Sequence, residues 1–114
     1  MARELEQTAR ELQRLDQLLQ HRARLGICVL LAGVDRMSFS RLKELLRLTD
    51  GNLGAQLRKL EDAGYLSVHK AFIERRPVSW YALTEQGTHA LGVHLAGMEM
   101  LVKSVERGAR GGDG

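Results

Sequence analysis

Between Thr49 and Leu83 the hydrophobic period of this chain switches from that of a helix to that of a strand, and few folds accommodate the switch. Thr49 is placed to cap a helix over residues 49–63, along which Leu53, Leu57 and Leu60 recur at i, i+4 and i+7 and predict one buried stripe. Gly64 follows, the residue that ends a helix most readily because a left-handed backbone costs it nothing. Tyr65, Leu66, Ser67, Val68 and His69 then alternate apolar and polar as a half-buried strand does. Lys70, Arg75 and Arg76 gather at a turn whose exit Pro77 fixes, and residues 78–83 return as a second strand.

Upstream, residues 24–34 are too uniformly apolar for an amphipathic surface helix and predict a helix buried at the centre of the fold. Gly33, Asp35 and Arg36 break it. Ser38 or Ser40 can then cap a short helix with Leu42, Leu45 and Leu46 inward and Arg41, Lys43 and Arg47 outward, leaving Leu48 in the turn before Thr49. Two helices joined by a tight turn and followed by a basic hairpin follow the order of a winged helix-turn-helix. That fold lays one helix in a DNA groove with the hairpin beside it. The expected class is mainly α with a small β-hairpin and long helices at both ends.

Those end helices suggest self-association. Over residues 2–21 Leu5, Leu12 and Leu19 recur every seventh residue with Thr8 and Leu15 between, which predicts either a helix laid on its own domain or, the favoured reading, an arm for a second copy. Thr84 caps the last helix, and Leu91, Leu95, Met98, Val102 and Val105 follow 4, 3, 4, 3 spacing, a cleaner seam. Val93, Met100 and Leu101 widen it beyond what one side can bury, so a homodimer is expected. The partition is residues 1–22 as N-terminal helix, 23–106 as the DNA-binding unit with its dimerisation helix, and the Gly-rich 107–114 as a disordered tail.

Several function classes are excluded. At 114 residues, 44% of them hydrophobic, the chain can build one small core, and its net charge of +3 favours a polyanionic partner only mildly. The single Cys28 lies in an apolar run, so it reads as a small buried hydrophobe in a reducing, cytoplasmic protein. No apolar stretch approaches the ~20 residues of a membrane span, and the start does not resemble a signal sequence. No phosphate loop, nucleophile elbow or carboxylate pair is present, so no enzyme and no cofactor are expected. His89 and His94 stand about 140° apart around a helix, which predicts no metal site. Nothing specifies a small-molecule effector.

The partner expected instead is double-stranded DNA. Opposite the leucine stripe the second helix shows Ala55, Arg58 and Asp62, with Asn52 and Lys59 on one flank and Gln56 nearer the core edge, and Asn52, Ala55 and Arg58 are expected near base edges. Thr49, Arg41, Arg47, Lys70, Arg75 and Arg76 complete the expected DNA set, chiefly on phosphates or in the minor groove. The rival is a protein-interaction module, since winged helices also serve as adaptors. An adaptor has no need to collect these cations on one face.

The run Thr49, Asp50, Gly51, Asn52, Leu53, then Leu57, Leu60, Glu61, Ala63, Gly64, Tyr65, Lys70, Pro77, Tyr81, Leu83, Thr84 and Gly87 resembles the small winged-helix transcriptional regulators grouped near the MarR and ArsR repressors. The resemblance spans residues 25–101 and implies a dimeric DNA-binding regulator that recognises its site with the helix after Thr49. Gly54 and Gln56 stand where such proteins commonly place Ser and His, and Ser79 where Thr is usual. The target sequence therefore does not carry over.

Overall fold

The computed structural model describes residues 2–110. Helix α1 (Ala2–Gln13) leads through a single 3-10 turn (Leu18–Gln20) into α2 (Arg22–Ala32). A two-residue strand β1 (Met37–Ser38), helices α3 (Phe39–Leu46) and α4 (Asp50–Asp62), strands β2 (Leu66–Ile73) and β3 (Arg76–Leu83) and helix α5 (Glu85–Arg110) follow. The three strands form one antiparallel sheet in the order β1-β3-β2. This is the mainly α winged helix-turn-helix expected of the sequence.

Local chemistry sets the boundaries. His21 caps α2 by accepting from the Ala23 amide at 3.2 Å, Ser38 caps α3 through Arg41, and Thr49 caps α4 through Asn52. Helix α4 ends as its glycine requires: Gly64 has φ +83°, its amide donates to the Glu61 carbonyl, and the Tyr65 amide reaches back to Leu60 at 2.9 Å. Ile27, Leu31, Leu42, Leu53, Leu57 and Leu60 meet in one core beneath the sheet, with α2 touching α3, α4, α5 and β3.

Four expectations are corrected. The N-terminal helix does not run to residue 21 but stops at Gln13, because Asp16 leaves the helical path and caps the 3-10 turn, accepting from the Leu18 amide at 2.9 Å. That break drops Leu19, expected in a dimer seam, fully into the protomer's own core. Leu45 is exposed, since Leu42 and Leu46 already fill the inward face of α3. The helix does not end before Arg107: α5 continues through it to Arg110, and residues 111–114 of the expected tail lie outside the described residues.

The wing joins α5 through a compact junction around Tyr65. The Tyr65 carbonyl accepts from the Thr84 amide at 3.0 Å, and the Thr84 hydroxyl donates to the Gly64 carbonyl at 2.6 Å while accepting from the Gly87 amide at 3.0 Å. The Tyr65 hydroxyl donates to Asp16. A Cβ on Gly87 would stand 2.2 Å from the Tyr65 carbonyl oxygen, so α5 can leave the sheet at this angle only over a glycine. Gly87→Ala is expected to cost about 3 kcal/mol or more, as overpacking against backbone does, read as a lower thermal midpoint.

Burial first, and the bond to Asp16 second, push the Tyr65 phenol from 10.0 up to about 12, while burial pushes the Cys28 thiol from 9.0 up to about 11. Both groups favour the folded state fully below their unfolded values, and that contribution is lost as pH rises through the folded ones. Urea midpoints are therefore expected to fall between about pH 9 and 12, and Tyr65→Phe to lower stability near neutrality yet flatten the fall above pH 10.

Candidate nucleic-acid interface

Helix α4 buries its leucine stripe and leaves its opposite face open. Ala55 and Arg58 are exposed there and Asn52 and Lys59 on a flank, and Gly51, Gly54 and Ala55 leave the helix almost bare over its first turns. Together with Arg58, Lys59, Asp50 and Asp62 they line an open depression of about 490 Å³. Each interior glycine costs about 0.8–1 kcal/mol against alanine in a helix. Nothing lies within 4 Å of a Cβ built at either glycine, so no packing inside the protomer requires them. Bare backbone at the N-terminal half and cations one turn further on suit close approach to a polyanion's edge.

Gln56 departs from the expected set. Its side chain is buried, accepting from Arg24 Nη1 at 2.8 Å and donating to Asn52 Oδ1 at 3.0 Å, so its amide is committed within the protomer. Thr49 serves first as the cap of α4. Arg24, which sequence reasoning passed over, ties this helix to the 3-10 turn by donating Nε to the Leu18 carbonyl at 2.6 Å. Its position at the head of an apolar helix was the one available signal.

Cations surround this face unequally. Arg41 pairs with Glu44 at 3.1 Å and Lys43 with Asp50 at 2.9 Å, both exposed contacts worth little to folding. Among the described residues Arg47, Arg58, Lys59, Lys70, Arg75 and Arg76 make no ion pair. Arg47 ends α3 in the left-handed conformation, φ 54°, inside the turn between the two helices.

The wing is longer and its turn tighter than expected. Ile73 pairs with Arg76, so only Glu74 and Arg75 connect the strands, and both have positive φ, 50° and 67°. This is the backbone of a two-residue I′ turn, which normally takes Asn-Gly because side chains are strained there. Arg75 stands in the turn and Arg76 opens β3, whereas Lys70 is paired with Ser79 well down the ladder, away from the turn where it was expected. Lys70 and Phe72 share the strand face that Leu66 turns to the core, and Phe72 is 78% exposed near the tip. On the other face Arg36 lies 4.3 Å from the Trp80 ring centroid, a cation–π contact.

The expected dimer residues divide. Leu91 is buried against the protomer's own core, as Leu19 is, so neither is open to a partner. Leu5 and Leu12 on α1 and Leu95, Met98, Val102 and Val105 on α5 are exposed, Val105 at 72%. Helix α1 lies along α5, where the buried Glu11 receives Gln7 and Ser104. His94 is buried with Nδ1 accepting from the Asp16 amide at 3.0 Å. Among the described residues no three His, Cys, Asp or Glu side chains converge, and no helix is long and apolar enough to cross a membrane.

Comparison with known proteins agrees with this geometry. The profile of the winged helix DNA-binding domain family matches residues 23–102. An uncharacterized protein of Methanocaldococcus jannaschii is 36% identical over 83 residues, which cover 73% of this chain and 90% of that protein. The structure of a transcriptional regulator homologue from Pyrococcus horikoshii OT3 superposes with a TM-score of 0.75 at 26% identity, over 90% of this chain and 97% of the other. A zinc-responsive MarR family member from Lactococcus lactis, ZitR, shares the fold with a TM-score of 0.56 at 22% identity, over 75% of this chain and 58% of its own.

The bare face of α4 carries a stability prediction. Gly54→Ala is expected to stabilise the protein by about 0.5–1 kcal/mol, the helix-propensity difference, seen as a thermal midpoint raised by a few degrees.

Proposed function

The chain belongs to the winged helix DNA-binding domain family and is a DNA-binding regulator, and we propose that it acts as a sequence-specific transcriptional repressor that binds as a homodimer. The observation that carries the sequence-reading part is the outer face of α4. Two glycines, at a cost to helix stability, and an alanine remove bulk there, and Asn52 and Arg58 stand beside them. A helix that only had to be soluble would gain from alanine there. Clearance for a groove floor gives the glycines a purpose that stability does not. Asn52, Ala55 and Arg58 then approach base edges, Lys59, Arg41 and Arg47 meet phosphates, and Arg75 and Arg76 reach the backbone or minor groove from the wing.

Pairing of two chains is supported by the exposed apolar residues of α1 and α5, which leave Leu5, Leu12, Leu95, Met98, Val102 and Val105 facing water. Two α4 helices related by a two-fold would read half-sites about 10 base pairs apart. Repression by occupancy is the mode supported by the resemblance to the MarR and ArsR repressors. Sedimentation at micromolar concentration tests the pairing: a dimer is expected, and a stable monomer overturns it.

The adaptor reading is separated from this one by DNA itself. Replacing Arg75 and Arg76 together with Ala is expected to leave the thermal midpoint nearly unchanged, because exposed, unpaired arginines contribute little to folding. Binding to every duplex should weaken alike in a gel shift, and the slope of log affinity against log salt should become shallower by up to about two units. Unaltered affinity and slope would place the wing off the duplex.

A further inference from the structure

Asn52 is the only carboxamide on the exposed face of α4, and the groups behind it decide which end of that amide faces outward. Arg24 is half-buried near the start of α2, its Nε donating to the Leu18 carbonyl at 2.6 Å and its Nη1 to Gln56 Oε1 at 2.8 Å. An amide's oxygen and nitrogen are alike in shape, but a guanidinium has donors only. It therefore holds the Gln56 oxygen toward α2 and leaves the Gln56 nitrogen as the group that faces Asn52. Gln56 is only 8% exposed, so water does not offer its amide an easy alternative. Its Nε2 donates to Asn52 Oδ1 at 3.0 Å. The polarity is thus passed along a directed chain, and the Asn52 oxygen is turned back to the protein. Asn52 Nδ2, with two N–H donors, makes no hydrogen bond among the described residues.

We propose that Arg24, acting through Gln56, is a positioning residue that fixes the amide of Asn52 with its donors outward and so sets the base read there as guanine. The inference rests on the reading of α4 as the base-contacting helix. Guanine alone presents two acceptors, N7 and O6, side by side in the major groove, where adenine and cytosine each place an amino donor and thymine offers a single acceptor, O4, beside its methyl group. The usual pairing of Asn with adenine uses the amide oxygen as well as the nitrogen. Here that oxygen faces the buried Gln56, so its second lone pair is not presented outward beside the nitrogen. Arg24 touches no DNA in this scheme and acts only by orienting the amide beyond it.

The discriminating variant is Gln56→Glu. The introduced carboxylate keeps the bond to Arg24 and so preserves the buried contact, but it cannot donate to Asn52. The Asn52 amide should then turn its nitrogen inward and its oxygen out. Selection of bound sequences from a random duplex pool is expected to show guanine at one position of each half-site for the wild-type chain. The same position should change to cytosine or adenine for Gln56→Glu, with the other positions, the salt slope and the thermal midpoint little altered. Arg24→Met frees the Gln56 amide and should lower the guanine preference at that position about tenfold, leaving the others in place. Guanine retained there by Gln56→Glu, or an Arg24→Met chain that loses affinity for all sequences alike, would overturn the proposal and leave Arg24 a structural buttress. A wild-type chain that enriches no duplex would overturn the DNA reading itself, and this inference with it.

Discussion

The molecule turns on the contact between the Tyr65 backbone and the first turn of α5. Thr84 and Gly87 bring the helix start onto the Tyr65 carbonyl, Gly64 supplies the left-handed residue that ends α4, and the Tyr65 hydroxyl holds Asp16. One residue therefore joins the end of α4, the base of the wing, the start of the long α5 helix and the break after α1. The backbone amide of Asp16 in turn donates to the buried His94, which ties the same junction to the middle of α5. The angle between α4 and the wing on one side and the terminal helices on the other follows from this contact. A single methyl group at position 87 is enough to spoil it.

Helix α4 gives up stability on its outer face. Its inner face is a fully buried leucine stripe, while its outer face carries two glycines that weaken the helix and no side chain that would fill the space above them. The wing makes a similar trade. Glu74 and Arg75 occupy positive-φ positions for which glycine or asparagine would be easier, and the exposed Phe72 stands near the same tip. Two of the three side chains held at positive φ thus stand at the wing tip, the third being Arg47 in the turn before α4, while the leucine stripe of α4 lies buried beneath.

The long axis of the molecule has another cause. Its extents are 67 × 24 × 22 Å because α5, 26 residues long, runs about 39 Å from the junction with α1 packed along it. Inner positions of this pair are satisfied within the protomer by Leu91, His94 and Glu11. The next turns of α5, with Met98, Val102 and Val105, pass beyond the reach of the core and remain exposed. A small chain gains from covering such a surface, which is the physical basis of the proposed pairing.

The helices from α2 onward and the hairpin were legible in the sequence, because each announces itself locally. Thr49, Gly64 and Thr84 mark helix ends by their own backbone chemistry, and the spacing of Leu53, Leu57 and Leu60 is set by the helical period. The resemblance to winged-helix regulators rests on these same residues. Where contacts join distant parts of the chain, periodicity was silent or misled. Leu5, Leu12 and Leu19 keep a seven-residue spacing across a break that Asp16 makes, so one of them enters the core and two do not. Strand β1 is too short to carry a pattern and exists only because β3 lies beside it. Gln56 read as a core-edge residue still counted with the DNA set, and only the fold shows that Arg24, 32 positions earlier, binds its oxygen. Local backbone preference and hydrophobic period determined the helices, the hairpin and the basic outer face. The tertiary structure alone decided which apolar residues were left exposed and which way the Asn52 amide points, since both depend on what the fold places behind them.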